Sequence, residues 1–216
     1  MESSKINADW IKVSGQVFWA EIAPYDHVVQ IYENDDAFLD TLFGFVSGGI
    51  NSEDCVIVIA TGPHLKSLNT KLEEAGFDLA DLGAENLYIP LDAEVMLSKF
   101  MVNDWPDETL FMDLVTGLIS QAKGHNRQIR AFGEMVALLW AKEQIGATVR
   151  LEQLWNKFCE TQAFCLFCAY PQSGFAQGAA DSITHICSAH SKMISTGSNN
   201  SINDIYYRAV DQQRVG

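Results

Sequence analysis

The sequence predicts an α/β protein with a mostly parallel central sheet and helices on both faces. Continuous apolar runs bounded by turn residues recur along the chain, a pattern typical of strands that are buried on both faces. Between these runs the apolar residues repeat with a helical period, at the length of a crossover connection. The 216 residues are 48% hydrophobic and only 19% charged, which is sufficient for a well-filled core.

Each of the five predicted strands lies within one apolar run. They are HVVQIY at 27–32, CVIVIA at 55–60, NLYIP at 86–90, QIRAF at 128–132 and AFCLFCAY at 163–170. Helical stripes occupy the intervals, for example Leu39, Leu42, Phe43 and Val46 after the first strand. Strands that alternate with helices in this way predict parallel pairing, because the chain must cross over before each new strand.

We expect one domain, from residue 25 to residue 190. Residues 1–24 form an N-terminal lead-in whose aromatic side chains pack either on the domain or on a second copy of it. Residues 191–216 begin with a stretch rich in Ser, Asn and Gly, which predicts a flexible C-terminal tail.

The charge balance excludes several classes of partner. With 28 acidic and 14 basic side chains the formal net charge is −14, which repels polyanions and gives no counterion-release drive toward nucleic acid. No apolar run approaches the roughly 20 residues that span a bilayer, and the N-terminus lacks the pattern of a signal peptide. We therefore expect a cytoplasmic protein with no nucleic-acid or membrane partner.

The stretch after the first predicted strand has the local shape of a phosphate-binding loop, but its turn is acidic. The turn reads Glu33, Asn34, Asp35, Asp36 and contains neither the glycines nor the lysine that such a loop needs. Carboxylates at a helix N-terminus satisfy its dipole in the place that a phosphate would take. We expect a self-capped helix and no nucleotide cofactor.

A metal site must be weighed against buried cysteines. Cys165 and Cys168 are followed by Cys187 and His190, a set that resembles a zinc site with three cysteines and one histidine. However, Cys165 and Cys168 lie in a predicted strand, where side chains three residues apart point to opposite faces. We expect buried, reduced cysteines and predict no metal.

The carboxyl ends of the predicted strands suggest a ligand site, because ligands of open α/β sheets bind at that edge. Polar side chains that follow the strands include Tyr32, His64, Glu134 and Tyr170. The alternative is that Glu134 caps the helix beginning at Met135 and that Arg130 pairs with a nearby acid. No catalytic signature accompanies these residues, and we predict no enzyme activity.

Taken in order, these segments resemble the MEDS domain, the methanogen/methylotroph and DcmR sensory domain. The resemblance rests on His27 and Tyr32 with the acidic turn, then FVSGGINSEDCVIVIA, IRAFGEMVALLW, LEQLWNKF, FCLFCAY and ICSAH. It implies a degenerate relative of the RecA and KaiC ATPase fold, a three-layer sandwich. It also implies an input module of prokaryotic signalling that senses small hydrocarbon derivatives.

The positions that match the family pattern are His27, Tyr32, Arg130, Gly133, Glu134, Glu152 and Cys168. With the predicted sheet edge, the expected ligand-binding residues become His27, Tyr32, His64, Arg130, Glu134, Cys168 and Tyr170. Because His27 begins a strand and Glu134 follows one, these two residues are predicted at opposite edges of the sheet.

The leading hypothesis is a non-catalytic sensory domain that binds a small organic ligand. Its expected partner is a signalling protein such as a histidine kinase or a transcription regulator, in a two-component or related system. A homodimer is the default expectation for such a domain. The alternatives are a docking module without a small ligand and a divergent RecA-like nucleotide-binding protein.

Overall fold

The computed structural model describes residues 10–15, 19, 22–122, 127–172, 186, 190–196 and 203–208. The strands in this part of the chain are β1 (Trp10–Gly15), β2 (His27–Tyr32), β3 (Cys55–Ala60), β4 (Tyr88–Asp92), β5 (Met101–Val102), β6 (Trp105–Pro106), β7 (Ile129–Gly133), β8 (Cys165–Pro171), β9 (Lys192–Thr196) and β10 (Asn203–Arg208). The helices are α1 (Asp35–Asn51), α2 (Gly62–Glu74), α3 (Leu79–Ala84), α4 (Ala93–Ser98), α5 (Glu108–Ala122), α6 (Met135–Ala141) and α7 (Ile145–Cys159).

The central sheet has the strand order β1-β10-β9-β2-β8-β7-β3-β4. The six strands from β9 to β4 are mutually parallel, and β10 and β1 extend the sheet by antiparallel pairing. The predicted α/β class and mostly parallel sheet are confirmed. All five predicted strands are present, each within two residues of its expected start.

Helices cover both faces of the sheet, so that the protein has three layers. Helices α1, α2 and α3 pack on one face, and α4, α5, α6 and α7 pack on the other. Neighbouring strand residues alternate between the two layers: Val28 packs on the α1 side and Val29 on the α7 side. This explains why the strands read as continuous apolar runs rather than as an alternating pattern.

The sheet continues beyond the predicted domain boundary at residue 190. Strand β9 pairs in parallel with β2, and β10 pairs with both β9 and β1. Met193 and Ile194 of β9 are buried on opposite faces, as expected for a strand inside a layered fold. The composition of this segment pointed to a tail because strand pairing depends on distant partners that local sequence does not reveal.

The acidic turn after β2 begins a helix that caps itself. Asn34 is the N-cap, and its side-chain oxygen accepts a hydrogen bond from the backbone N–H of Ala37 at 3.0 Å. Asp35 and Asp36 lie in the first turn of α1, where they favour the helix dipole. The self-capped helix is confirmed, although an amide rather than a carboxylate makes the cap.

An ion pair anchors the amino ends of the strands to the α1 side. Arg130 on β7 is buried, and its Nε donates to Asp54 Oδ2 at 2.6 Å. The same guanidinium donates to the backbone oxygen of Trp19, whose ring packs on Phe45 and Phe167. This part of the N-terminal lead-in therefore packs on the domain itself.

No helix in the described ranges is both long enough and apolar enough to cross a membrane.

Close approach of α1 to the sheet generates a stability prediction at Gly49. A methyl group at this position would lie 2.6 Å from Val56 Cγ2 and 3.0 Å from Arg130 Cδ. Because the core has no room for it, we expect Gly49→Ala to lower the free energy of unfolding by about 1–3 kcal/mol in urea titrations.

The matched control is Gly117→Ala in the exposed face of α5, where an added methyl group meets no atom within 4 Å. That substitution should be neutral or should stabilise the protein by up to about 1 kcal/mol, because alanine is the better helix former. Equal effects of the two substitutions would contradict the close packing at Gly49.

Candidate functional site

The residues predicted for the ligand site fall into two groups on opposite faces of the sheet. The edge group lies at the carboxyl ends of the strands and consists of Tyr32, Phe38, Thr61, His64 and Glu134. The buried cluster lies between the sheet and α7 and consists of His27, Glu152, Cys168, Tyr170 and His190. Arg130 belongs to neither group, because it is engaged by Asp54 near the opposite ends of the strands.

Glu134 is the centre of the edge group. It follows β7, is only 5% exposed, and its backbone N–H donates to the carbonyl oxygen of Ile59 at 2.8 Å. Its carboxylate accepts a hydrogen bond from the backbone N–H of Thr61 at 2.8 Å and contacts His64 Nδ1 at 2.7 Å. One carboxylate thus joins the carboxyl end of β7 to the first turn of α2.

The alternative in which Glu134 caps its own helix is correct in position but wrong about the side chain. Glu134 occupies the N-cap position of α6, but its side chain makes no capping hydrogen bond. Its backbone conformation is helical, with φ −89° and ψ −6°, and the carboxylate reaches across to α2 instead. The side chain therefore bonds to groups at the sheet edge rather than to the N–H groups of its own helix.

Aromatic rings form the apolar wall of the edge group. Phe38 stacks on Tyr32 with ring centroids 4.9 Å apart and meets the His64 ring edge-on, also at 4.9 Å. Burial raises the pKa of the Tyr32 phenol, and the nearby Glu134 and Asp35 carboxylates raise it further. The phenol therefore remains protonated across the physiological range and can act as a hydrogen-bond donor.

His64 takes its charge state from its partner. The hydrogen bond to Glu134 raises the pKa of His64 above its ordinary value of 6.5, partial burial opposes this, and the Glu134 and Asp35 charges reinforce it. When the imidazole is protonated, it forms an ion pair with the carboxylate at the sheet edge.

The buried cluster draws its side chains from four separate places in the fold. His27 begins β2, Cys168 lies in the middle of β8, Glu152 lies on α7 and His190 precedes β9. All four are less than 4% exposed, and one ligand atom of each lies within 4.8 Å of those of the others. The rings of His27 and His190 are 4.0 Å apart.

The cluster contains a carboxyl group in an apolar layer. Tyr170 donates its hydroxyl to Glu152 Oε1, whereas Oε2 lies 3.8 Å from both His27 Nε2 and His190 Nε2. Burial raises the pKa of Glu152 to about 8, although the Tyr170 hydrogen bond lowers it. Burial also raises the pKa of the Cys168 thiol well above its ordinary value, as does the adjacent Glu152.

The structure separates the two strand cysteines of the zinc motif that the sequence analysis rejected. Cys165 packs on the α1 side of the sheet and Cys168 on the α7 side, as the strand geometry predicted. Cys187 lies outside the described residues. Of that motif, Cys168 and His190 come together, but with His27 and Glu152 rather than with Cys165.

One position, Tyr170, differs from the expected sheet edge. Tyr170 was expected with Glu134, but it lies within β8 two residues after Cys168, so both side chains share the α7 face. His27 and Glu134 do belong to separate groups, as their opposite ends of strands predicted. Sequence reasoning missed the meeting of His190 with His27, and the available signal was a histidine and a glutamate embedded in apolar segments.

Comparison with solved structures supports the three-layer fold. A protein from Pyrococcus horikoshii OT3, known as Project ID PH0250, is similar with a TM-score of 0.54 and 13% identity, over 84% of this chain and 86% of that chain. The flagellar accessory protein FlaH from Methanocaldococcus jannaschii is similar with a TM-score of 0.50 and 7% identity, over 86% of this chain and 78% of that chain. At these identities the likeness concerns the fold alone.

No curated protein matches the chain in sequence. The model of the family described as MEDS, MEthanogen/methylotroph, DcmR Sensory domain, matches residues 26–191. This match covers most of the chain and confirms the resemblance found in the sequence. The chain therefore belongs to the MEDS family of sensory domains.

Proposed function

We propose that this chain is a non-catalytic input domain of a prokaryotic signalling system and that a small organic molecule binds at its edge group. Membership of a sensory family supports the general role. The observation that carries the proposed site is the Glu134 carboxylate, which is held by Thr61 and His64 at the carboxyl edge of a parallel sheet.

The topology of the sheet favours this edge. From β2 the chain crosses toward the β4 end of the sheet to form β3, and from β8 it crosses toward the β1 end to form β9. The strand order thus reverses between β2 and β8, and ligands of open α/β sheets bind at the carboxyl ends of strands at such a point. Tyr32 ends β2 there, and Phe38 links it to His64 and Glu134.

The chemistry of the edge group suits a small molecule with one polar end. Glu134 and His64 offer a charged acceptor and a charged donor, and the Tyr32 hydroxyl offers a neutral donor. The rings of Tyr32 and Phe38 offer apolar contact at the same place. Short alcohols, amines and related hydrocarbon derivatives combine these two features, and the family resemblance implied the same class.

The acidic turn argues for a non-catalytic role and against nucleotide binding. In a phosphate-binding loop, free backbone N–H groups at the helix N-terminus hold the anion. Here Asn34 caps the helix and two carboxylates follow in its first turn. The helix N-terminus that would hold a phosphate therefore has its own side-chain cap, and its two carboxylates repel an anion.

Signal output would come from a partner such as a histidine kinase or a transcription regulator in the cytoplasm. A ligand can shift a conformational equilibrium only through unequal affinity for the two states. The Glu134 bridge between β7 and α2 is suited to this, because a molecule that competes for either carboxylate oxygen changes how the helix is held.

The raised pKa of His64 gives a pH-dependent stability. Because the folded-state pKa lies above the ordinary value of 6.5, the protonated ring stabilises the fold fully below that pH, and the stabilisation is lost as the pH rises through the folded-state pKa. We expect the difference in urea unfolding free energy between the wild type and His64→Gln to be largest below about pH 6.5 and to shrink as the pH rises above that value.

The control is a double-mutant cycle with Glu134→Gln, in which the other titrating groups are common to both proteins. In the Glu134→Gln background, His64→Gln should have an effect that hardly depends on pH. A difference between the wild type and His64→Gln that stays constant over the whole range would contradict the charged pair.

Ligand binding tests the proposed function directly. Short-chain alcohols and amines are titrated into the labelled wild-type protein, and amide chemical shifts are followed by NMR. We expect saturable shifts around residues 32–38, 61–64 and 134. Because loss of a charged hydrogen bond costs about 1.5–3 kcal/mol, Glu134→Gln should weaken binding by at least about tenfold. Tyr32→Phe should weaken it less.

The matched control is Glu108→Gln, which removes the carboxylate that pairs with Arg150 and Lys157 on the surface of α5. This variant should bind like the wild type. Failure of every probe to bind, or affinity unchanged in both Glu134→Gln and Tyr32→Phe, would remove the edge group as the ligand site and favour a docking module.

A further inference from the structure

The buried cluster has no role in the proposed ligand site, because it lies on the other face of the sheet from the edge group. Four of its five side chains, those other than Tyr170, bring two imidazoles, a thiol and a carboxyl group together in an apolar layer. Burying such groups is unfavourable unless they are paired or bind a metal, so their convergence calls for an explanation.

We propose that His27, Glu152, Cys168 and His190 together bind one divalent transition-metal ion, for which zinc is the best match. All four ligand atoms lie within 4.8 Å of one another, and three of the pairs have the spacing of a tetrahedral site. Bonds of the usual zinc lengths place neighbouring ligand atoms about 3.3–3.8 Å apart. Cys168 Sγ lies 3.5 Å from His27 Nε2, and Glu152 Oε2 lies 3.8 Å from Nε2 of each histidine.

The donor atoms select the kind of metal. Calcium and magnesium prefer shells made of oxygen, whereas two imidazole nitrogens and a sulfur suit zinc and its neighbours in the first transition row. Two neutral imidazoles, one thiolate and one carboxylate carry a total charge of −2. A divalent cation therefore makes the buried site neutral, which removes the penalty of leaving charges unpaired in the apolar layer.

Groups around the cluster orient the ligands as a metal requires. The backbone oxygen of Ile186 lies 2.6 Å from His190 Nδ1. A carbonyl can only accept, so Nδ1 carries the proton and Nε2 presents its lone pair toward the cluster. Metal-binding histidines commonly have such a partner on the second ring nitrogen.

The carboxyl group is oriented in the same way. Tyr170 donates to Glu152 Oε1, which leaves Oε2 directed at the two imidazoles. Oε2 is fully buried and has no hydrogen-bond partner among the described residues. A buried carboxyl oxygen rarely lacks a partner, and a metal ion would supply the missing interaction.

Four protein ligands complete a tetrahedral shell, so the ion would have no open position for substrate and would stabilise the fold. It would connect β2, β8, α7 and the segment before β9, whose ligands are far apart in sequence. This inference does not depend on the proposed ligand site, because the two groups of residues do not overlap.

The test is the metal content of tag-free protein purified from zinc-supplemented cells. Elemental analysis should find about one zinc per chain in the wild type. Cys168→Ser and His190→Gln should retain much less. Cys165→Ser is the matched control, since this buried cysteine lies three residues away on the opposite face and should leave the zinc content unchanged.

A second measurement keeps the test decisive if a variant fails to fold. Chelator-treated wild-type protein is titrated with Co²⁺, and the absorption spectrum is recorded. We expect a thiolate-to-cobalt charge-transfer band and the visible bands of tetrahedral Co²⁺, both saturating at one equivalent. The Cys165→Ser variant should show the same bands, whereas the Cys168→Ser variant should not. A wild-type protein with neither bound zinc nor these bands would overturn the proposal, as would equal losses in the two cysteine variants.

Discussion

The position of strand β2 is the constraint on which the edge group and the buried cluster both depend. This strand is bonded in parallel to β8 on one side and to β9 on the other. It begins at His27 and ends at Tyr32, which at about 3.3 Å per residue places the two residues about 16 Å apart along the strand. Because their positions differ by an odd number, their side chains point to opposite faces. One six-residue strand thus supplies a member to each group and prevents the two groups from merging.

The sequence was most informative where the structure is decided locally. The apolar runs identified β2 and β3 at their observed bounds, because strands buried on both faces are unmistakably apolar. It was least informative where distant segments meet. Strand β9 has a polar start and pairs with a strand far away in the chain, so its composition suggested a tail. His190 and His27 meet for the same reason: their contact is created by the pairing of β9 with β2, which no local pattern encodes. Cys165 and Cys168 are close in the chain, and the alternation of the strand places them on opposite faces, as the sequence predicted.

The buried charges of the protein differ in how they are neutralised. Asp54 has the Arg130 guanidinium at 2.6 Å, and Glu134 has the His64 imidazole at 2.7 Å. Both carboxylates therefore have a cation in direct hydrogen-bond contact, as buried carboxylates require. Glu152 is as deeply buried as either, but its nearest imidazole nitrogens are 3.8 Å from Oε2 and its direct donor is the neutral Tyr170 hydroxyl. This distance from Glu152 Oε2 to the histidine nitrogens is too long for a hydrogen bond, and it suits ligand atoms that share one ion.

The two ends of β2 are held in different ways, and this bears on how a signal would travel. At the amino end the His27 backbone bonds with Ser191 in both directions, and Asp26 pairs with Lys192, so that the start of β2 is fastened to the start of β9. An ion in the buried cluster would add α7 to the same attachment. At the carboxyl end Tyr32 meets an exposed turn and the first turn of α1, and the Glu134 bridge to α2 rests on hydrogen bonds with Thr61 and His64. Small differential contacts can therefore move the helix starts at the edge, whereas the amino end would have to break a backbone attachment. A ligand at the edge group would thus change the positions of α1, α2 and α6 relative to the sheet, whose strands β2 and β9 are attached to each other at the opposite end.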